Sequence, residues 1–362
     1  MKILTVVGAR PQFIKAAAVS RELRKSHREV LVHTGQHYDF LMSEVFFREL
    51  DVPAPDYNLD VGSASHGIQT AQMMIRLEEV VIKEKPDRIL VYGDTNSTLA
   101  GALVGSKLQI RVAHVEAGLR SFNKTMPEEV NRILTDHVCD LLFTPTDTAS
   151  RNLAREGITK GVFQVGDVMY DALLHNIEIA ERKSFILDRL NLRPRGYVLA
   201  TMHRAANTDA KARLEAIMNA IARVGITVIL LLHPRTRDRL REFGFEGMMH
   251  GASNVRIMEP VGYLDMLVLE KNARVILTDS GGVQKEAYMF KVACITVREE
   301  TEWVETVEAG WNTLVGESLD RIPELIQKTQ TEPQSHPDFY GDGTAAKRIA
   351  QTLELRRDGI PK

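Results

Sequence analysis

Three carboxylates in this chain stand where proton chemistry is done. Asp94 follows the apolar run Arg88–Tyr92, Glu116 follows Val112–Val115, and Glu128 comes soon after, in Met126-Pro127-Glu128-Glu129. An Asp at such a place is commonly a helix cap, and Pro before acids is how many helices begin. Glu116, just past a buried apolar run, has fewer structural uses. As a set near successive strand ends, the three suit acid–base chemistry. His203 and His233 also directly follow apolar runs. A lone histidine is usually a satisfied polar group. Two at strand ends are suited to contact an anion or to move protons.

Two glycine turns could hold that anion. Gly8-Ala9-Arg10-Pro11 opens a helical pattern containing Lys15. The start of a helix offers backbone N–H groups and the positive end of its dipole, and Arg10 and Lys15 add cations suited to phosphate. A tight turn with solvated charges is the plainer alternative. Thr278-Asp279-Ser280-Gly281-Gly282 repeats the arrangement more specifically. Gly281 and Gly282 let a diphosphate approach the backbone, and Ser280 can donate to it. Glu286, about one turn on, can accept from ribose hydroxyls. An ordinary turn with a good helix start is the alternative there.

Short apolar runs position these groups. Ile3–Val7, Val30–His33, Arg88–Tyr92, Val112–Val115 and Leu141–Phe143 read as buried parallel strands, since they lack polar alternation. Helical patterns lie between them at 12–25, 66–85, 98–107 and 128–137. A second set follows: Tyr197–Thr201, Thr227–Leu232, Arg256–Met258, Arg274–Leu277 and Ala293–Val297. A helix is expected over 171–190, ending at the Arg193-Pro194-Arg195-Gly196 turn. The expected fold is therefore α/β, with two Rossmann-like doubly wound domains facing a cleft. The first spans 1–170 and carries the carboxylates. The second spans 171–343. A last helix over 344–362 packs back on the first.

Bulk properties narrow the function. The chain has 362 residues, above the roughly 250–300 at which single cores stop growing. Hydrophobic residues make up 44%, charged residues 26%, and the formal charge is −2, so no global basic field points to nucleic acid or an anionic membrane. Two distant cysteines, Cys139 and Cys294, and no long apolar run lead to a cytoplasmic expectation. Gly341-Asp342-Gly343-Thr344-Ala345-Ala346 fits a dinucleotide fingerprint in letters only: no apolar strand precedes it. A Walker lysine, a Tyr-x-x-x-Lys pair and a metal-ligand cluster are all missing from the sequence. Neither cofactor nor metal is expected.

Taken in order, the loops resemble one family. They are Gly8-Ala9-Arg10-Pro11 with Lys15, Thr34-Gly35-Gln36-His37, Gly93-Asp94-Thr95, His114-Val115-Glu116-Ala117-Gly118-Leu119-Arg120, Pro127-Glu128-Glu129-x-Asn131-Arg132, His203-Arg204, Thr278-Asp279-Ser280-Gly281-Gly282 and Tyr340-Gly341-Asp342-Gly343. The resemblance is to the non-hydrolysing UDP-N-acetylglucosamine 2-epimerases, and it spans nearly the whole chain. It implies a glycosyltransferase-B architecture and a homodimer. It also implies interconversion of UDP-N-acetylglucosamine and UDP-N-acetylmannosamine through 2-acetamidoglucal. By position, Asp94, Glu116 and Glu128 would then move the C2 proton, and His203 would serve the leaving UDP. Arg10, Lys15, Met266, Ser280, Gly281, Gly282 and Glu286 would bind substrate, joined by His233, which its place after an apolar run alone makes a candidate substrate contact. Gln36 and His37 match the start of a site where many members bind a second UDP-N-acetylglucosamine as activator.

Some positions depart from the family pattern. Ala9 and Gln12 replace the usual Thr and Glu, and Ala206 replaces a frequent Glu. Thr301-Glu302-Trp303-Val304-Glu305 puts Trp303 where many members carry a phosphate-facing Arg. The Trp form is similar to the branch acting on UDP-2,3-diacetamido-2,3-dideoxyglucuronate. That sugar is therefore the alternative substrate. A hydrolysing epimerase, a glycosyltransferase of the same fold and a silent nucleotide-sugar sensor are further readings.

Overall fold

The computed structural model describes residues 1–36, 53–245, 247, 251–329 and 335–356. The chain divides into two compact units, Met1–His175 with Asp338–Lys362, and Asn176–Pro337.

The first unit alternates strand and helix. Its elements are β1 (Lys2–Val7), α1 (Arg10–Leu23), β2 (Arg28–His33), β3 (Tyr57–Asn58), α2 (His66–Glu84), β4 (Arg88–Tyr92), α3 (Asn96–Lys107), β5 (Arg111–Val115), α4 (Pro127–Val138), β6 (Leu141–Thr144), α5 (Asp147–Arg155), β7 (Val162–Gln164) and the start of α6 (Val168–Lys183). Among the described residues they form a parallel sheet ordered β3-β2-β1-β4-β5-β6-β7. The strands are covered on both faces, which is why they read as unbroken apolar runs. Leu4, Val6, Val32, Ile89 and Val91 pack with Met73, Leu77 and Val81 of α2. Gly101 and Gly105 bring α3 close to the sheet. A Cβ at either would lie 2.7 Å from Val91 Cγ1 or 2.4 Å from Val112 Cγ2.

The second unit repeats the plan with α7 (Ile186–Arg189), β8 (Tyr197–Met202), α8 (Ala205–Thr208), α9 (Lys211–Ala222), β9 (Thr227–Leu232), α10 (Pro234–Glu242), β10 (Val255–Met258), α11 (Tyr263–Asn272), β11 (Val275–Thr278), α12 (Gly281–Met289), β12 (Ala293–Thr296), α13 (Val304–Glu308), β13 (Asn312–Leu314) and α14 (Ile322–Lys328). The sheet order is β10-β9-β8-β11-β12-β13, again parallel. A final helix, α15 (Ala345–Leu355), belongs to the first unit. No helix among the described residues is long and apolar enough to cross a membrane.

In each sheet the strand order reverses once, between β1 and β4 and between β8 and β11. Such switch points open a crevice beyond the carboxyl ends of the strands, where ligands of this architecture bind. Thr201 and Thr278 share a 2.6 Å hydrogen bond at the second reversal and lock those two strand ends together.

Three details differ from the sequence reading. The helix expected over 171–190 is two helices, because Ser184 ends the first and its hydroxyl accepts from the Ile186 N–H. The unit edges lie at His175 and Asp338 rather than at 170 and 343. α6 runs unbroken through the first edge, and beyond the second the Asp167 N–H binds the Tyr340 carbonyl within unit 1. β3, β7 and β13 are two or three residues long, too short to show a period.

Asp171 holds the start of α15 by accepting from the N–H groups of Ala345 and Ala346. Burial lifts its carboxyl from an ordinary 3.8 to about 6; the two N–H bonds oppose this, and Asp167 and Asp342 reinforce it. The folded chain thus holds this proton more tightly than the unfolded one. That contribution to stability is present below about pH 4 and lost as pH rises through about 6. We expect the melting temperature of Asp171→Asn to rise relative to the native chain across that window. A constant difference between the two would contradict the assignment.

Candidate active site

The first reversal gathers most of the acid–base candidates. Glu116 leaves β5 in the left-handed region, at φ 72°. For a residue with a side chain this costs about 1–3 kcal/mol and persists only where surroundings impose it. Here the N–H groups of Glu116 and Ala117 both bind the Phe143 carbonyl at 3.0 Å. The Glu116 carboxylate is buried and meets the Lys15 ammonium, which α1 delivers from beyond β1. Lys15, a candidate phosphate ligand by sequence, pairs through its Nζ with this carboxylate. A buried carboxylate needs such a cation to stay charged.

Asp94 has a different partner. It does not cap α3, because Thr95 does, its hydroxyl accepting from the Thr98 N–H. Arg132 of α4 grips Asp94 Oδ2 through Nε at 3.1 Å and Nη2 at 2.7 Å, and Asn131 donates to the Asp94 carbonyl. The remaining arm of Arg132 goes to Glu129 at 2.7 Å. The structure therefore separates the two glutamates after Pro127. Glu129 is buried and accepts from Ser121 N–H, Ser121 Oγ and Phe122 N–H as well. Burial would raise its pKa; the Ser121 N–H, Arg132 and the Phe122 N–H hold it below the usual range. Glu128, on the same first turn, stays exposed to solvent.

The Gly8 turn is not open as expected. Gln12 Oε1 accepts from the N–H groups of Gly8 and Ala9, at 2.8 and 3.0 Å, and its Nε2 donates to the Tyr92 carbonyl and Thr98 Oγ1. The side chain that departs from the usual Glu thus fills the place where an anion would use those two N–H groups. Gln36 accepts from Ser97 N and Oγ. His37 and the side chain of Arg10 lie outside the described residues.

The second reversal is built around one buried carboxylate. Asp279, fully buried, accepts from the N–H groups of His203 and Arg204 and from Asn207, and lies 3.2 Å from His203 Nδ1. Burial would raise the Asp279 pKa; the hydrogen bond and charge of His203, then Asn207 and the Arg204 N–H, keep it low. Asp279 thus orients His203 through one ring nitrogen, a role its motif did not reveal. His233 lies beside His203, with ring centroids 6.0 Å apart.

Ser280 caps α12, accepting from the Val283 N–H. A Cβ at Gly282 would meet nothing nearer than Ser280 Oγ at 3.9 Å, so that side of the helix start is open. Gly281 is glycine for another reason, since its Cβ would lie 2.5 Å from Glu302 Oε1. Glu302 pairs with buried Arg298 at 3.0 Å. Trp303 is buried against the same turn, with Lys285 Nζ 4.2 Å above its ring. Glu286 is buried and accepts from Tyr263 Oη at 3.3 Å. Met266 lies one turn along α11 from that tyrosine.

Known proteins resemble this chain in sequence and in fold. The sequence profile described as UDP-N-acetylglucosamine 2-epimerase matches residues 21–354. A Methanococcus maripaludis protein named UDP-N-acetylglucosamine 2-epimerase homolog is 55% identical, covering 98% of this chain and 99% of its own. The UDP-2,3-diacetamido-2,3-dideoxy-D-glucuronate 2-epimerase of Pseudomonas aeruginosa is 48% identical, with the same two coverages of 98% and 99%. The crystal structure of the Methanocaldococcus jannaschii UDP-GlcNAc 2-epimerase, in complex with UDP-GlcNAc and UDP, matches with a TM-score of 0.92 at 46% identity. It covers 98% of this chain and 100% of that one.

Gly93 lies between the two carboxylates, at φ 62°, and a Cβ there would sit 3.2 Å from both Glu116 Oε2 and Lys15 Nζ. We expect Gly93→Ala to lower unfolding free energy by about 1–2 kcal/mol, the cost of a side chain in left-handed backbone. Turnover should fall further, because the new methyl group presses on the Lys15–Glu116 pair. Chemical denaturation and initial rates check both; a fully active variant would show that the pair tolerates displacement.

Proposed function

The chain belongs to the UDP-N-acetylglucosamine 2-epimerase family and is an isomerase acting on UDP-sugars, and from that premise we propose that it interconverts UDP-N-acetylglucosamine and UDP-N-acetylmannosamine. The observation that carries the reading is Glu116. It is a strained, buried carboxylate beside the Gly93–Asp94 turn, held charged by Lys15.

The chemistry asks for such a group. The C2 hydrogen is not adjacent to a carbonyl and is weakly acidic. As the C1–O bond to UDP lengthens, positive charge builds at C1 and the C2 proton becomes removable. A carboxylate takes that proton, and the products are 2-acetamidoglucal and UDP. Returning a proton to the opposite face of C2 while UDP re-adds at C1 completes the epimerisation. In this reading Glu116 moves the proton, and Lys15 keeps it ionised and oriented. Asp94, fixed by Arg132, stabilises charge at C1, and Glu128 serves the second face. His203, steadied by Asp279, stabilises the departing diphosphate. Ser280, Gly281 and Gly282 offer it the start of α12, Glu286 takes the ribose, and Met266 lies against uracil. Arg10 and His233 add donors to the anion.

A second reading is favoured by Trp303. Its position carries an indole packed on Lys285, and the 48%-identical Pseudomonas protein is named for the 3-acetamido uronate. Two further proposals follow. Gln36 opens the site for a second UDP-N-acetylglucosamine as activator. The chain is a homodimer through α2, where Ile68, Ile75 and Ile82 recur every seven residues and are each more than half exposed.

Supplied with UDP-N-acetylglucosamine, the protein is expected to yield UDP-N-acetylmannosamine by NMR. Free N-acetylmannosamine plus UDP would make it a hydrolase instead. Faster turnover of UDP-2,3-diacetamido-2,3-dideoxyglucuronate would select the second reading. Glu116→Gln should lose about 10²–10⁴ in turnover, the usual worth of an acid–base group, with UDP affinity unchanged. Loss of UDP affinity instead would make Glu116 a binding residue. Ile75→Glu should convert a dimer to a monomer in sedimentation; a native chain that already sediments as a monomer excludes the interface.

A further inference from the structure

His114 is fully buried in β5, and both of its ring nitrogens face acceptors. Nδ1 lies 2.7 Å from Asp136 Oδ1, and Nε2 lies 2.7 Å from the Gly93 carbonyl oxygen. A carbonyl cannot donate. Asp136 is held as a carboxylate by donors other than His114, because Arg120 Nη1 and the Gly118 N–H both donate to its Oδ2. A neutral imidazole has one N–H, and this geometry uses two. The surrounding charges balance an imidazolium. Arg120 donates to Asp136 Oδ2 at 2.7 Å and to both oxygens of Glu156, and the Gly118 N–H also binds Asp136.

The connections matter because of what they join. Gly93 begins the turn that carries Asp94. Its N–H binds the Val115 carbonyl, and its Cα faces Glu116 and Lys15. Gly118 and Arg120 belong to the loop that leaves Glu116, and Asp136 belongs to α4, the helix of Arg132 and Glu128. One buried ring therefore ties together the three segments that bear the proposed acid–base carboxylates.

We propose that His114 is a positioning residue, an imidazolium whose two hydrogen bonds fix the Gly93 turn, the Glu116 loop and α4 in one geometry. Its kinetic consequences rest on the epimerase reading; its protonation state does not. In protein labelled with ¹⁵N-histidine, His114 is expected to show both ring nitrogens protonated, since each faces an acceptor. A single-proton tautomer would overturn the proposal. His114→Gln can donate to only one of the two acceptors. We expect its kcat for interconversion to fall about a hundredfold, the scale of a small misplacement of reacting groups, while KM stays near the native value. Native kcat, or a loss confined to KM, would also overturn the proposal. If His114→Gln does not fold, the nitrogen spectrum of the native chain decides alone. A native chain that binds UDP-sugars but interconverts none would defeat the epimerase reading and leave the spectrum to judge His114.

Discussion

Keeping carboxylates charged at the carboxyl ends of buried strands is the constraint on which this protein depends. An ionised carboxylate taken from water without a partner is too costly to persist. Each of the central ones meets a cation. Lys15 meets Glu116, Arg132 meets Asp94 and Glu129, and Arg120 with His114 meets Asp136. In the second unit, Asp279 lies 3.2 Å from His203 Nδ1 and accepts from the His203 and Arg204 N–H groups and from Asn207. These pairs add little net stability, since desolvation offsets most of the attraction. What they provide is fixed position and fixed charge.

Strand order supplies partners for these carboxylates. Because β4 lies next to β1, the helix after β1 delivers Lys15 to the turn after β4 and to the end of β5. Because β11 lies next to β8, the loop after β8 delivers His203 to Asp279. The two units thus use one topological device for different chemistry. The first surrounds carboxylates with matched charges. The second leaves a helix start open at Gly282, backed by a histidine held through one nitrogen.

Much of this was legible in the sequence, for a physical reason. Strands covered on both faces must be apolar throughout, so ten of them stand out, and the loops behind them mark the chemistry. Partnerships were not legible. Lys15 and Glu116 are 101 residues apart, and nothing local shows that the two side chains meet. Gln12 read as a departure from a family pattern. Only the structure shows its amide bonding two N–H groups and two acceptors across the switch point. Likewise, Glu128 and Glu129 look equivalent in sequence. The loop at Ser121 and Phe122 decides which one turns inward.

The central claim is that these fixed charges exist to move a proton at C2 of a UDP-bound amino sugar. Incubation with UDP-N-acetylglucosamine in deuterated water tests it most directly, with the recovered nucleotide sugars analysed by NMR and mass spectrometry. The account predicts deuterium at C2 in molecules still attached to UDP. Epimerised product that retains its original C2 hydrogen would contradict it.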